Sequence, residues 1–152
     1  MTLTNTPGSC DAVATWTAPT SSDNCGTTTL TSTHEPGWVF TVGDTIVSYT
    51  AEDQHGNLQT AQILVTVLDE EAPSFAVAPT PMALDSEPGT CTAMATWTEP
   101  TVLDNCEVQT VDTTHPSGTI FPVGTTTVTY TATDIHSNVM QHSFDVTVSD
   151  ME

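Results

Sequence analysis

Residues 127–134 read TVTYTATD and indicate the fold class of the chain. In an extended chain, successive side chains point to opposite faces. Val128, Tyr130 and Ala132 then share one face, and the four threonines share the other. This alternation is typical of a strand that buries one face, and threonine itself is enriched in strands. We therefore predict β-structure at this position.

The chain contains two copies of one sequence repeat. Displacing the chain against itself by 81 positions aligns residues 1–71 with 82–152 without a gap, and 35 of the 71 pairs are identical. Residues 72–81, APSFAVAPTP, have no counterpart ahead of Met1. Such internal repetition predicts two tandem domains, residues 1–71 and 72–152, with the first strand and linker missing from the first. We expect them to be two links of a longer array.

The period of two recurs throughout both repeats, and helix-forming segments are missing. Six or seven short strands per repeat predict an all-β protein made of two tandem immunoglobulin-like antiparallel β-sandwich domains. The predicted core of the first centres on Trp16 and Tyr49. That of the second centres on Trp97 and Tyr130.

The charge of the chain is entirely acidic. Lysine and arginine are absent, whereas there are 19 aspartates and glutamates, and the net charge is −19. Nucleic acids and anionic lipids recruit proteins through basic residues, so we expect neither as a partner. No apolar run approaches the roughly 20 residues of a membrane span, so no membrane insertion is expected. Each carboxylate must be solvated, hydrogen-bonded or bound to a cation.

Four cysteines fall into two pairs of identical spacing, Cys10 with Cys25 and Cys91 with Cys106. Neither pair has the close Cys-x-x-Cys spacing of zinc ligands. We therefore predict two disulfides and an oxidising compartment. Each disulfide would close a loop of about 15 residues and contribute roughly 3 kcal/mol of stability. The alternative is a pair of free buried thiols in each repeat.

Several motifs together resemble the hyalin repeat, a module related to the immunoglobulin and fibronectin type III sandwiches. The first repeat reads C-x5-W-x2-P-x3-DNC from Cys10, F-x-V-G-x-T-x-V-x-Y-x-A-x-D-x3-N from Phe40, and V-T-V-x-D from Val65. The second repeat carries the same motifs. The resemblance implies an extracellular domain, usually found in tandem on cell-surface, matrix or secreted proteins and associated with adhesion rather than catalysis.

Two features depart from the pattern of that family. The resemblance implies a further cysteine before the proline of the first strand and another in the last strand. Those places hold Ala78-Pro79 and, in the two repeats, Ala61 and His142, so no second bridge is expected. Ser137 stands where the first repeat has Gly56 in its Gly-Asn turn.

Carboxylates are expected to meet at the linker between the domains. A chain enters an immunoglobulin-like sandwich near the loops that join strands B to C and F to G, so the linker should approach these loops. We expect Ca²⁺ there, since it takes six to eight oxygen ligands and no basic side chain is available. The alternative is solvated carboxylates, with Asp-Asn forming a turn before the cysteine. The predicted ligands are Asp69, Glu70, Glu71, Asp104, Asn105 and Asp134.

The remaining signals favour an interaction module over an enzyme. Trp38 is expected to be exposed and to contact a glycan or neighbouring subunit, because the matching residue is Thr119. No catalytic motif is found, and the repeated His34 and His115 favour a structural role. We expect an extracellular structural or adhesive module of a tandem array or surface fibre, with neighbouring repeats or subunits and a protein or glycan ligand as partners. The alternative is a carbohydrate-binding or accessory module of a secreted enzyme.

Overall fold

A computed structural model describes residues 1–151 as fourteen strands, with no helix in that range. The chain divides into two compact units, Met1–Glu70 and the residues from Glu71 onward. The strands of the first unit are β1 Thr2–Thr4, β2 Asp11–Val13, β3 Thr28–Ser32, β4 Val39–Thr41, β5 Gly43–Asp53 and β6 Leu58–Leu68. Those of the second are β7 Ser74–Val77, β8 Met82–Asp85, β9 Thr92–Met94, β10 Thr101–Leu103, β11 Val108–Thr113, β12 Ile120–Pro122, β13 Gly124–Asp134 and β14 Val139–Ser149.

Each unit is a β-sandwich, as predicted. In the first, a four-stranded sheet of order β1-β6-β5-β3 forms one layer and the pair β2-β4 lies in the other. The buried core cluster of this unit contains residues of both layers, among them Ala12, Phe40 and Val65. The short β1 pairs in parallel with β6, whereas the other pairs of this unit are antiparallel.

The second unit repeats this arrangement and adds one strand pair. Its sheet has the order β11-β13-β14-β8, and β9 pairs with β12. An additional antiparallel pair joins β7 to β10. Strand β7 lies within residues 72–81, the stretch that has no counterpart in the first repeat. This is the physical reason why the two sandwiches differ in strand number.

A tryptophan and a tyrosine meet at the core of each unit, as predicted. The indole Nε1 of Trp16 donates a hydrogen bond to the Tyr49 hydroxyl at 2.6 Å. Trp97 and Tyr130 make the same contact at 2.8 Å. Both tyrosines are buried and both tryptophans pack against the core clusters. Each buried polar group therefore has a partner, which removes the cost of burying it unpaired.

His142 links the last strand of the second unit to the segment before β8. Its Nε2 lies 2.8 Å from the carbonyl oxygen of Pro79, and its ring is 5.6 Å from that of Phe75. The resemblance implies a disulfide at this place. A hydrogen bond and ring packing connect the two segments here instead.

The turn between the two long strands of each hairpin, β5-β6 and β13-β14, requires a left-handed backbone. Gly56 has φ +84°, and Ser137 at the equivalent place has φ +74°. The turn therefore has the same shape in both units. This conformation lowers the stability of the second unit, since the Cβ of Ser137 disfavours a left-handed backbone by roughly 1–2 kcal/mol.

Candidate functional site

The Asp-Asn-Cys triplets form a turn at one end of each sandwich, which we call the DNC end. Oδ1 of Asp104 accepts hydrogen bonds from the backbone N–H groups of Cys106 and Glu107, both at 2.9 Å. Oδ1 of Asp23 accepts one from Cys25 N–H at 2.7 Å. One carboxylate oxygen of each aspartate thus closes the turn by accepting backbone N–H groups. This pattern of hydrogen bonds is expected of an aspartate in a turn.

A second aspartate closes the hairpin loop that lies at the same end. Oδ1 of Asp134 accepts hydrogen bonds from the backbone N–H groups of His136 and Asn138, both at 2.8 Å. Its Oδ2 accepts one from Nδ2 of Asn138 at 2.7 Å. Asp53 makes the corresponding three bonds in the first unit, at 2.8, 2.8 and 2.7 Å. The Asp-x-x-x-Asn motif therefore determines the conformation of this loop in both units.

These bonds hold both loop aspartates in the charged form. Burial alone raises the pKa of Asp134, but the hydrogen bonds from Asn138 and from His136 N–H outweigh it and lower the pKa below 3.8. The pKa of Asp53 is also below 3.8, chiefly because of the hydrogen bond from the Asn57 side chain. Hydrogen bonds that stabilise a carboxylate act in this direction.

Asp104 and Asp134 come together at the DNC end of the second unit. Carboxylate oxygens of the two lie within 4.8 Å of each other. Asp134 is fully buried, and Oδ2 of Asp104 is buried without a hydrogen-bond partner among the described residues. Two carboxylates this close repel each other unless a proton or a cation lies between them. Their donor set fits a hard cation that prefers oxygen ligands.

The other predicted ligands lie as follows. Glu71 and Asn105 are half-buried in the second unit, and Asn105 directly follows Asp104. In the first unit, Asp69 is 8% exposed, whereas Glu70 is exposed. The backbone N–H of Glu70 donates a hydrogen bond to Oδ1 of Asn5 at 3.2 Å. Metal ligation by these residues remains a prediction from the sequence.

The first unit has a related acidic site, which was not predicted from the sequence. Asp23 and Asp53 line an open cleft of about 220 Å³ together with Ser22 and Asn57. These two aspartates occupy the places of Asp104 and Asp134 in the repeat, so the alignment of the repeats was the signal that could have found them.

The predicted disulfide pairing is wrong. Cys10 and Cys106 are disulfide-bonded, whereas Cys25 and Cys91 are free and exposed. Each predicted pair therefore contains one bonded cysteine and one free cysteine, and neither pair is a bridge.

The length of one strand explains why the pairs cannot form. The carbonyl of Cys10 accepts a hydrogen bond from Val42, directly before β5, while that of Cys25 accepts one from Gln54, directly after β5. Strand β5 has 11 residues, which span about 33 Å at 3.3 Å per residue. A disulfide requires Cα atoms within about 7 Å. In the second unit, Cys91 and Cys106 lie at opposite ends of the equally long β13 for the same reason.

Trp38 is 52% exposed, which agrees with its expected position on the surface. Its ring lies 5.3 Å from that of His34, edge to face. His34 in turn packs on Phe40, with ring centroids 5.2 Å apart, and His115 packs on Phe121 at 5.3 Å. His34 and His115 therefore have a structural role, because each packs against a buried phenylalanine of its core, as predicted.

The fold and the repeated loop chemistry define a class of protein, the tandem immunoglobulin-like β-sandwich repeat. The sequence profile of the HYR domain matches this chain twice, over residues 2–67 and 68–148. The chain belongs to the HYR domain family.

Relatives with assigned names agree with this membership. Hyalin of Lytechinus variegatus is 36% identical over 88% of this chain and 26% of its own length. Hyalin of Strongylocentrotus purpuratus is 36% identical over 90% of this chain and 12% of its own. The mouse Sushi, von Willebrand factor type A, EGF and pentraxin domain-containing protein 1 is 35% identical over 84% of this chain and 4% of its own. This chain therefore corresponds to about a quarter or less of these relatives.

Among solved structures, four cadherin domains of protocadherin gamma B7 align with 84% of this chain and 40% of their own. The TM-score is 0.36 at 18% identity, a likeness too weak to carry a conclusion. Within the described residues, no helix is long and apolar enough to cross a membrane.

Proposed function

We propose that this chain is a non-catalytic structural or adhesive module of an extracellular tandem array or surface fibre. The observation that carries the proposal is the repetition itself, since the same sandwich with the same acidic loop end is built twice and matches the HYR profile each time. The bonded Cys10 and Cys106 support an oxidising, extracellular location. The partners are neighbouring repeats or subunits of the same kind, together with a protein or glycan ligand.

The charge of the chain limits how two such modules associate. A net charge of −19 without lysine or arginine means that no carboxylate of one copy finds a lysine or arginine on another. Like charges across an interface are unfavourable, and salt screens them only in part. Adhesion between copies therefore requires bound cations that neutralise these carboxylates, or a covalent link.

We propose Ca²⁺ as the neutralising cation, bound at the linker and the DNC end of the second unit. Asp104 and Asp134 supply converging carboxylate oxygens at the second DNC end, and Asp104 Oδ2 has no hydrogen bond that competes with a cation among the described residues. The sequence predicts additional oxygens from Asp69, Glu70, Glu71 and Asn105. Calcium at millimolar concentration fits an extracellular module, whose affinities are typically about 10⁻⁴–10⁻³ M.

Aggregation of coated beads tests adhesion. Beads that carry the full chain are mixed in millimolar CaCl₂, in NaCl of equal ionic strength, and in chelator. We expect clusters in calcium and dispersed beads in the other two, because ionic screening reduces the repulsion between carboxylates only in part, whereas a bound cation neutralises them. Asp104→Asn should reduce clustering, whereas Asp112→Asn, which removes one exposed charge on β11, should leave it unchanged.

Dispersed beads under all three conditions would contradict self-adhesion. Clustering that follows ionic strength alone would retain adhesion but exclude a specific calcium role. A structural role without adhesion would appear as dispersed beads. Single-molecule stretching of the chain would then still show two unfolding events, one for each unit.

A carbohydrate-binding role is the second candidate, and the exposure of Trp38 favours it. An exposed indole offers an apolar face for a sugar ring, with a polar N–H at its edge. Glycan-array binding that Trp38→Ala abolishes would support this role. The control is Thr119→Ala at the same place in the other repeat. Absence of glycan binding by the unmodified chain would exclude it.

A further inference from the structure

Each repeat places its two cysteines at opposite ends of the sandwich. The first position lies directly before β2 or β9 and is occupied by Cys10 and Cys91. We call it the base position. The other is the cysteine of the DNC turn, held by Cys25 and Cys106. The bonded cysteines comprise one of each position, Cys10 and Cys106, and so do the free ones, Cys91 and Cys25.

Each free cysteine therefore has an equivalent in the other repeat that is bonded. Cys106 shows that the turn in which Cys25 lies presents a sulfur that can form a disulfide, and Cys10 shows the same for the position of Cys91. The turn geometry is shared, because the Asp23 and Asp104 carboxylates bind the cysteine N–H in the same way. Both free cysteines are exposed, so another molecule can reach them.

No partner for the free cysteines is available within their own repeats. An 11-residue strand separates the two cysteine positions of each sandwich. That distance is several times the reach of a disulfide. Unpaired exposed cysteines in an oxidising compartment indicate pairing between molecules.

We propose that Cys25 and Cys91 are junction cysteines, and that Cys91 of one copy forms a disulfide with Cys25 of another repeat of this kind. Such bonds join base position to DNC position and link modules head to tail. This inference deepens the proposed function, because it gives the array a covalent connection that does not depend on calcium.

The bond forms by exchange with a small-molecule disulfide such as oxidised glutathione. The thiolate of Cys91 attacks one glutathione sulfur, which breaks the glutathione disulfide and releases one glutathione thiolate. The thiolate of Cys25 of the second copy then attacks the Cys91 sulfur of the mixed disulfide and releases the second glutathione. One protein disulfide replaces one glutathione disulfide, and the two protons end on the two glutathione thiols.

Two single variants and their mixture test the pairing rule. The full chain, Cys25→Ser, Cys91→Ser and the double variant are incubated in a glutathione redox buffer and resolved without reductant. We expect a ladder from the full chain, monomer from each single variant alone, and a dimer but nothing larger from the two single variants mixed. Since both sites are exposed and unpaired, the Tm of every variant should equal that of the full chain.

Peptide mapping identifies the bond in the dimer. Cleavage after acidic residues is suitable because the chain has no lysine or arginine. A peptide that joins Cys91 to Cys25 supports the proposal. Single variants that dimerise alone as readily as the mixture would overturn the base-to-DNC rule, and monomer throughout would overturn the proposal itself.

The outcome is separable from that of the proposed function. Bead adhesion in calcium is measured with Cys25 and Cys91 alkylated, so it succeeds or fails without any disulfide between copies. A disulfide ladder forms in chelator if the inference is correct, even where adhesion fails.

Discussion

The carboxylates of Asp104 and Asp134 approach within 4.8 Å at the DNC end of the second unit, although the chain contains no lysine or arginine. One oxygen of Asp104 closes a turn, and three hydrogen bonds hold Asp134. The polypeptide thus fixes two negative charges side by side through backbone and amide donors.

Calcium should stabilise this end of the second unit. At a concentration ten times the Kd, binding contributes about 1.4 kcal/mol to the free energy of unfolding. For a unit of this size the corresponding rise in Tm is roughly 6–11 °C. Asp104→Asn should remove the rise, and Asp112→Asn should preserve it. Calorimetry in calcium and in chelator makes the measurement, and identical traces would count against the calcium proposal.

Acid should weaken both loops. The folded-state pKa values of Asp53 and Asp134 are lower than the unfolded value of 3.8. The stability that each contributes is therefore present above about pH 3.8 and is lost as the pH falls through the folded-state pKa. Melting in chelator from neutral to strongly acidic pH should show this loss. The double variant Asp53→Asn, Asp134→Asn should have a flatter profile, and an unchanged profile would contradict the role of these bonds.

The left-handed turn residue should respond in opposite directions in the two units. Ser137→Gly removes a backbone penalty of about 1–2 kcal/mol, which the larger unfolded-state entropy of glycine offsets by about 0.5–1 kcal/mol. A net gain of about 0.5–1 kcal/mol is expected, and Gly56→Ser should lose a similar amount. No atom lies within 4 Å of a Cβ added at Gly56, so a loss there reports backbone strain rather than a clash. Denaturant unfolding of each variant supplies the comparison.

Glu99 should raise the pKa of a core tyrosine in the second unit alone. The Tyr130 hydroxyl donates to Oε2 of Glu99 at 2.6 Å. Burial, followed by this hydrogen bond, raises the pKa of Tyr130 above 10.0. Glu99→Ala should lower that pKa, as measured by absorbance during alkaline titration. Ala18 stands in the equivalent place in the first unit, so this carboxylate is particular to the second repeat. Equal titration of Tyr130 with and without Glu99 would contradict this coupling.

The sequence predicted the sandwiches and their cores well because these depend on local periodicity. Alternation at Val128, Tyr130 and Ala132 places all three in the buried interior of the second unit. The β7-β10 pair was not foreseen, since β10 has only three residues, Thr101–Leu103, and so little room for alternation.

The cysteine pairing could not be predicted from spacing. Fifteen positions separate Cys10 from Cys25 along the chain, but the distance between them in space depends on the course of β5, which separates their ends of the sandwich. Equal spacing in two repeats shows that both repeats share a geometry. It does not show that the two cysteines of a repeat meet.

Alkylation of the unreduced monomer, before any disulfide between copies has formed, tests most directly the claim that the two cysteines of a repeat do not pair with each other. Iodoacetamide should label two thiols per chain, Cys25 and Cys91, while Cys10 and Cys106 should resist until the protein is reduced. Four protected cysteines, with peptides that join Cys10 to Cys25 and Cys91 to Cys106, would contradict it.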